Sequence, residues 1–501
     1  MNNVLVCGAS GMLGRTLCKS LKQSNISFIG TYNSNKCDGL IKMNFFDTEE
    51  IKCKIINGRI NVVVNLIAER RPNVCENDWK HTCDLNIKIV ENLISVCNDL
   101  KIHLIHLSTD YVFDGLSEEY NPNSLTNPLQ NYGVSKLMGE LRLKSLSKSF
   151  QIIRVSVLYS LEQKNLKESS VTVIGKSLMD LSSVKRIDNH YIRRPVSCVE
   201  LSSFIIDSIK NYKYGVSHFF NPNEKYTKYN MGSIMAEIMG VKIKEGCVPN
   251  TTALRPYDIK LRDDNNHHQY NSLVKDDLQK IFKKYNFPKM TKETATDYLL
   301  LLDLDGTIIT ESIHHKVYSD LLLEHDIDFT YNDYLKATNN GNVLKYLVEH
   351  YKLDFEVADK LVKNKRLQII KSDYMVELID GFIAFLHIMI SFNVNIVVVT
   401  NSPKSYTDFV KRKLPMLNGI TQWVTREDYK NAKPHKEPYM TAIEKYGKNE
   451  KYIIGFENSI NGVKSLEQVT NNIYGCIEEY DLSSKDVFLY KSYSDVMAHI
   501  F

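Results

Sequence analysis

Apolar positions along this chain follow two periods. Short β-branched runs stand at Val4-Leu5-Val6, Phe28-Ile29, Val62-Val63-Val64 and Ile102 to Leu107, and the stretches between them carry apolar residues at helical spacing. Leu13, Leu17 and Leu21 fall four apart directly after the first run. Strands and helices alternating in this way predict βαβ units and a doubly wound α/β sheet with parallel strands. Between residues 286 and 297 the text Asn286-Phe287-Pro288-Lys289-Met290-Thr291-Lys292-Glu293 loses the periodicity and carries a proline, which is how a linker reads. A second α/β pattern then opens with Tyr298 to Leu302 and continues with buried strands at Ile396 to Val399 and Tyr452 to Ile454. The expected organisation is two α/β domains, 1–285 and 298–501, joined by 286–297, with no repeat between the halves.

A length of 501 residues allows two or three cores, so two domains are the natural reading. The formal charge of +4 is small for this size and spread without long runs of one sign, and the 29 tyrosines form no basic and aromatic stripe. Both features argue against a nucleic-acid binder. Ten cysteines, nine of them before residue 250 and none in a C-x-x-C pair, indicate neither a zinc site nor a disulfide framework, so a reducing, cytoplasmic setting is expected. The N-terminus runs straight into an apolar strand without the parts of a secretory signal. The apolar run Phe382 to Val399 is interrupted by His387, Ser391, Asn393 and Asn395, so it predicts helix, turn and strand, not a membrane span. His267-His268 and His314-His315 are read as solvated loop or cap positions, and Cys7 as a small buried residue.

The first strand leads into Gly8-Ala9-Ser10-Gly11-Met12-Leu13-Gly14 and a helix. Glycines at such a turn let the backbone approach a pyrophosphate, whose charge is met by N–H groups at the helix start. The second strand ends in Thr31-Tyr32-Asn33-Ser34 without the acidic residue that would hold a ribose 2′-hydroxyl. Ser34 and Lys36 are either ligands of a 2′-phosphate or solvated loop residues, which tilts the cofactor toward NADP over NAD. Asp47 is a candidate partner for the adenine amino group. Further on, Ser108-Thr109-Asp110-Tyr111 follows a buried strand, and Tyr132 and Lys136 are spaced to share a helical face. A nearby ammonium is expected to lower the tyrosine pKa, so that the phenol can exchange a proton with a carbonyl oxygen that Thr109 also holds.

Together these segments resemble extended short-chain reductases of the dTDP-4-dehydrorhamnose reductase family, over about residues 1 to 285. Ala68 to Asn77, Glu168 to Val173, Thr227-Lys228-Tyr229 and Leu254-Arg255-Pro256 are similar to one branch of it, the regulatory beta subunits of methionine adenosyltransferase. The resemblance implies that Gly8, Gly11, Gly14 and Asp47 hold the nucleotide and that Thr109, Tyr132 and Lys136 act on a sugar 4-keto group. It also implies that Arg193 or Arg255 lies on the substrate side. The branch implies a possible catalytic methionine adenosyltransferase subunit as partner, with the reductase machinery retained.

In the second half, Asp303-Leu304-Asp305-Gly306-Thr307 places two carboxylates at the end of a buried strand, one able to attack and one to shuttle a proton. Val399-Thr400-Asn401-Ser402 ends another strand with a hydroxyl, Lys433-Pro434 supplies a cation, and Gly455-Phe456-Glu457-Asn458-Ser459 an acidic group. Nucleophile, phosphate-binding groups, lysine and Mg²⁺ ligands are what cleavage of a phosphomonoester requires. The order resembles haloacid dehalogenase-like hydrolases over about residues 298 to 501, with a helical cap at about 311–380. That resemblance implies Asp303 as nucleophile, Asp305 as general acid/base and Thr400, Asn401 and Lys433 on the phosphate. Mg²⁺ falls to Asp303, Asp305, Glu457 and position 458, where Asn458 replaces the family's usual Asp and is expected to weaken it. The reading is a fusion acting on two small molecules, a nucleotide sugar and a phosphomonoester.

Overall fold

The computed structural model describes residues 2–501 apart from 34–35, 248–252, 267, 269, 271, 287–288, 340–342, 372–373 and 478–480. The chain divides into two compact units. One comprises Met1–Leu178, Lys185–Ile238 and Lys242–Phe282, the other Met179–Val184, Met239–Val241 and Lys283–Phe501.

The first unit contains β1 (Asn3–Cys7), β2 (Ser27–Tyr32), β3 (Ile41–Lys42), β4 (Val62–Asn65), β5 (His103–Thr109) and β6 (Phe150–Val155). Short strands β7 (Leu158–Tyr159), β8 (Lys185–Asp188), β9 (Ile192–Arg193) and β10 (Val196–Ser197) follow, then β11 (Gly215–Phe219), β12 (Tyr226–Thr227) and β13 (Ile243–Gly246). Seven of them form one sheet in the order β11-β6-β5-β4-β1-β2-β3, parallel throughout. Because side chains alternate across a strand, Val4 and Val6 enter a core with Leu13, Leu17, Leu201 and Ile205 on one face. Leu5 and Cys7 enter another with Ile51, Val90, Leu93 and Leu143 on the opposite face. The pairs β7–β10, β8–β13 and β9–β12 lie apart from this sheet.

The second unit repeats the logic with β14 (Tyr298–Leu302), β15 (Asn395–Val399), β16 (Gln422–Val424), β17 (Tyr452–Glu457), β18 (Asn472–Cys476) and β19 (Phe488–Tyr490). Their order is β16-β15-β14-β17-β18-β19, again parallel. Four helices, Ser312–Leu323, Tyr331–Asn339, Val343–Tyr351 and Phe355–Lys371, carry a small core of their own around Tyr318, Leu322, Phe329, Tyr334 and Leu347. The doubly wound α/β class predicted from the pattern is what both units adopt. No helix among the described residues is long and apolar enough to cross a membrane.

One buried ion pair fixes the helix Asn131–Leu146, which carries Tyr132 and Lys136. Arg154 on β6 donates to Glu140 on that helix through Nη2 at 2.7 Å and Nε at 3.0 and 3.2 Å, and Ser108 on β5 donates to the same carboxylate at 2.6 Å. Both charged residues are almost fully buried. Removing one member leaves the other charge uncompensated. Arg154→Ala is therefore expected to lower the stability of the first unit by about 3–5 kcal/mol, read as a lower urea midpoint, and an unchanged midpoint would refute this role for the pair.

Candidate active sites

The glycine turn has the geometry a pyrophosphate needs. Gly8 has φ +81°, and a Cβ on Gly14 would lie 2.4 Å from the Gly8 carbonyl oxygen and 2.6 Å from Ala9 Cα, so no larger residue fits there. Gly11 caps the helix Met12–Gln23 with no side-chain cap and no acidic residue in its first turn, so its leading N–H groups suit an anion. Arg15 braces the turn, donating to Ser10 O at 2.7 Å and pairing with Glu168 at 2.6 Å. These residues fit a dinucleotide. Asp47 has a different engagement: it caps the helix Thr48–Asn57, accepting from Glu49 N and Glu50 N at 3.0 Å each. Ser34 lies outside the described residues, while Lys36 is exposed.

At the carboxyl end of β5, Thr109 turns its hydroxyl to the Tyr111 N–H and to Asp110 Oδ1, each at 3.2 Å. The Tyr132 ring meets Tyr111 edge-on at 6.2 Å. Tyr132 keeps part of its surface accessible, yet burial of its hydroxyl raises the phenol well above its usual value. The Thr109 side chain opposes the rise, and Asp110, Cys75 and Tyr111 add to it. This corrects the expected lowering by Lys136. That ammonium's nitrogen is buried and lies 3.2 Å from His106 Nε2, and burial pushes its own pKa down to about 8 against the pull of Glu140. Asp110 is likewise pushed up to about 6 by burial, opposed by Ser156, Arg193 and Thr109.

Arg193 lies over Tyr111 and Tyr191, its Cζ 5.9 and 5.3 Å from the ring centres, and donates to Ile192 O at 2.6 Å. Arg255 also acts on Tyr111. Burial, then Arg255 and Arg193, lower the pKa of Lys228. Nη2 of Arg193 and Nε of Arg255 are buried without a hydrogen-bond partner. Two arginines thus stand near Tyr111, with Lys228 close enough to feel both, and their unpaired buried N–H groups suit an anion.

The second site is built on the ends of β14, β15 and β17. The Lys433 ammonium donates to Asp303 Oδ1 at 2.5 Å, Glu457 Oε1 at 2.7 Å and Val399 O at 2.9 Å. Burial works against this charge, but the two carboxylates outweigh it and hold the lysine above its usual range. Asn401 Oδ1 accepts from Lys433 N at 3.3 Å and from the Tyr429 hydroxyl at 2.8 Å, and Thr400 Oγ1 accepts from Ser402 N at 3.0 Å. The structure therefore gathers Asp303, Glu457, Lys433 and Asn401 directly.

Three expected roles look different in place. Glu457 is saturated: Oε1 takes Lys433 and the Tyr439 hydroxyl, and Oε2 takes Asn458 N, Ser459 N and Ser459 Oγ. It holds the lysine and has little left for a metal. Asp305 accepts from Ser402 at 2.9 Å, Tyr406 at 2.8 Å and His314 at 3.0 Å. Burial raises it, but His314, Tyr406 and Ser402 win and hold it well below the usual carboxylate range, so as placed it is ionised and binds a proton only weakly. His314 is thereby corrected from a solvated cap residue to a buried partner, and His315 bonds Phe329 O at 2.9 Å. Asn458 gives Nδ2 to Glu311 Oε1 at 3.1 Å, while the Tyr334 hydroxyl holds Glu311 Oε2 at 2.5 Å.

The donors left for Mg²⁺ are the second oxygen of Asp303, the Asp305 carbonyl and the amide oxygen of Asn458. This neutral-leaning set suits an ion that keeps waters and takes substrate oxygens. Burial and Glu457 push the Asp303 carboxyl well above its usual range against the pull of Lys433, so a cation at its second oxygen would favour the ionised form. No cluster of three or more His, Cys, Asp or Glu able to hold a metal exists among the described residues.

Comparison with known proteins agrees with both halves. Residues 1–286 match the family described as RmlD substrate binding domain, and residues 299–470 match haloacid dehalogenase-like hydrolase. The chain is similar to methionine adenosyltransferase 2 subunit beta of Xenopus tropicalis, 31% identical over 242 residues that span 46% of this chain and 71% of that protein. Among solved structures, a hypothetical dTDP-4-dehydrorhamnose reductase from Sulfolobus tokodaii is 27% identical with a TM-score of 0.45, covering 52% of this chain and 92% of that one. A UDP-glucose 4-epimerase from Thermotoga maritima, 15% identical, has a TM-score of 0.50 over 56% of this chain and 98% of its own, and shares the fold.

If Asn458 limits the metal, a carboxylate there should tighten it. Asn458→Asp alone would face Glu311, so the test pairs it with Glu311→Gln. The pair of changes leaves the net charge unchanged but moves one carboxylate from position 311 to the ligand position itself, and at an effective interior dielectric of about 20 the shorter distance predicts Mg²⁺ binding about tenfold tighter, measured by Mg²⁺ titration of thermal stability. An unchanged Mg²⁺ midpoint would remove Asn458 from the ligand set.

Proposed function

We propose that this chain, which belongs to the RmlD substrate binding domain family, reduces the 4-keto group of a nucleotide-linked sugar with NADPH in its first unit and hydrolyses a small phosphomonoester in its second. The observation that carries the reductase reading is the convergence of Thr109 and Tyr132 with Arg193 and Arg255 around Tyr111. A nucleotide sugar brings a diphosphate for the unpaired arginine N–H groups and a carbonyl for the tyrosine.

Bound NADPH supplies the hydride. The glycine turn and the helix start at Gly11 hold its pyrophosphate. Thr109 and Tyr132 hydrogen-bond the carbonyl oxygen, and the Tyr132 hydroxyl gives it the proton as the carbonyl carbon is reduced. The raised phenol pKa keeps that proton on Tyr132 until the substrate oxygen becomes basic. Lys136 follows one turn along the same helix, and its role in this reading is to return a proton to the phenolate.

In the second unit the Asp303 carboxylate attacks phosphorus, and the ester P–O bond breaks. Lys433 and the Asn401 region stabilise the charge on the transferred group. Mg²⁺, held by Asp303, the Asp305 carbonyl and Asn458, would neutralise phosphate charge. The leaving oxygen takes its proton from Asp305 in its protonated form, which requires release from His314 and Tyr406; the Asp305 carboxylate left by that step then takes a proton from the water that cleaves the aspartyl-phosphate.

A second reading rests on the 31% identity to methionine adenosyltransferase beta subunits: a coenzyme-binding regulatory partner of a catalytic methionine adenosyltransferase. Co-purification with such an enzyme, with no keto-sugar reduction, would favour it.

NADPH oxidation with a dTDP- or UDP-4-keto-6-deoxyhexose should be measurable with the intact chain and fall roughly 10²- to 10⁴-fold in Tyr132→Phe; equal rates in both proteins would discard the reductase reading. Phosphate release from a phosphomonoester panel should vanish in Asp303→Asn while NADPH oxidation stays intact. Release that persists in that variant would discard the nucleophile.

A further inference from the structure

Lys136 has a neighbour that the dinucleotide and carbonyl chemistry leaves unexplained. Its nitrogen lies 3.2 Å from His106 Nε2, and the other ring nitrogen of His106 lies 3.1 Å from Asn65 Nδ2. His106 sits on β5 and Asn65 on β4, side by side in the sheet register, and all three side chains are buried.

The direction of these bonds follows from Asn65. Its Oδ1 accepts from the Ile67 N–H at 3.1 Å, which fixes the amide so that Nδ2, a donor, faces His106 Nδ1. Nδ1 must then be the accepting nitrogen. Burial, with Lys136 adding to it, pushes the His106 pKa well down, so the ring is neutral and carries its one proton on Nε2. That N–H points at Lys136. An amine can accept it and an ammonium cannot, so the full set of contacts is satisfied only when Lys136 has released its proton.

We propose that His106, oriented by Asn65, is a positioning residue that makes Lys136 a poised proton-relay group instead of a permanent cation. The groups facing Lys136 agree with this assignment. His106 comes from β5 and Asn65 from β4, and both are neutral. On its own helix Glu140 favours the ammonium, but Arg154 from β6 and Lys144 take up that carboxylate. Burial works in the same direction, pushing Lys136 down to about 8 against the pull of Glu140, near the range where a relay group works best. When Tyr132 has given its proton to the substrate oxygen, a Lys136 ammonium can pass one to the phenolate. The amine left behind is received by the His106 N–H, and a proton from solvent restores the ammonium. The relay rests on the reductase reading above, whereas the titration of Lys136 does not.

The test is ¹³C NMR of the Lys136 ε-carbon in the full chain, titrated with pH. His106→Ala removes the N–H that stabilises the amine, so the Lys136 midpoint should rise by about one pH unit or more. His106→Gln can accept from Asn65 through its oxygen and donate to Lys136 through its nitrogen, and should restore the original midpoint. Should His106→Ala fail to fold, Asn65→Leu, which releases the tautomer, should move the midpoint the same way. In NADPH-dependent reduction, the high-pH limb of kcat/KM should follow the lysine, shifting upward in His106→Ala and back in His106→Gln. A Lys136 midpoint unmoved in folded His106→Ala or Asn65→Leu overturns the proposal. A midpoint that moves in a protein without NADPH turnover supports the positioning role and overturns only the reductase reading.

Discussion

Both sheets are parallel and covered on both faces, and this governs where chemistry can occur. A strand such as Val62–Asn65 or Tyr298–Leu302 has no solvent side on which to carry polar groups. Reactive side chains must therefore appear as each strand ends, where the backbone opens into a loop or a helix start. Gly8, Thr109, Asp303, Thr400 and Glu457 all stand at or directly after carboxyl ends of strands. Where polar groups do lie within the sheet, as with Asn65, His106 and Arg154, each is matched to a partner.

The two sites use burial in opposite ways, and their lysines show it. Both lie out of water, which disfavours a charge. Lys433 meets two carboxylates and is held as a cation, a fixed electrostatic support for an anionic substrate. Lys136 meets a neutral imidazole and a carboxylate already paired with arginine, so its proton is loosely held. A residue of one type becomes a permanent charge in one unit and a transferable proton in the other, and the facing groups decide which. Burial raises the Tyr132 phenol near one lysine and, with Glu457 adding to it, the Asp303 carboxyl beside the other.

Alternating runs and glycine turns made the fold class legible, because the strand period and the βα junction are local properties of the text. Asp303, Glu457 and Lys433 were legible too, since each follows an apolar strand or a short motif. What escaped depends on distant partners. Nothing near His314 in the chain announces that its ring will meet Asp305 and Tyr406, which is 92 positions further on. Glu311 was passed over because its contact with Asn458 spans 147 positions. The direction of the Tyr132 shift was misread because a four-residue spacing gives a shared helical face but says nothing of burial. His106 could have been found: a histidine set between Leu104-Ile105 and Leu107, two residues before the Ser-Thr-Asp-Tyr segment, has to be satisfied by something.

The most direct check on the first unit is a crystal structure of the full chain with NADP⁺ bound. The pyrophosphate should lie against the helix start at Gly11, with the nicotinamide ring facing the Tyr132 hydroxyl across a space open to Arg193 and Arg255. A ring turned away from Tyr132, or a coenzyme seated elsewhere, would contradict the assignment of this unit as a reductase centre.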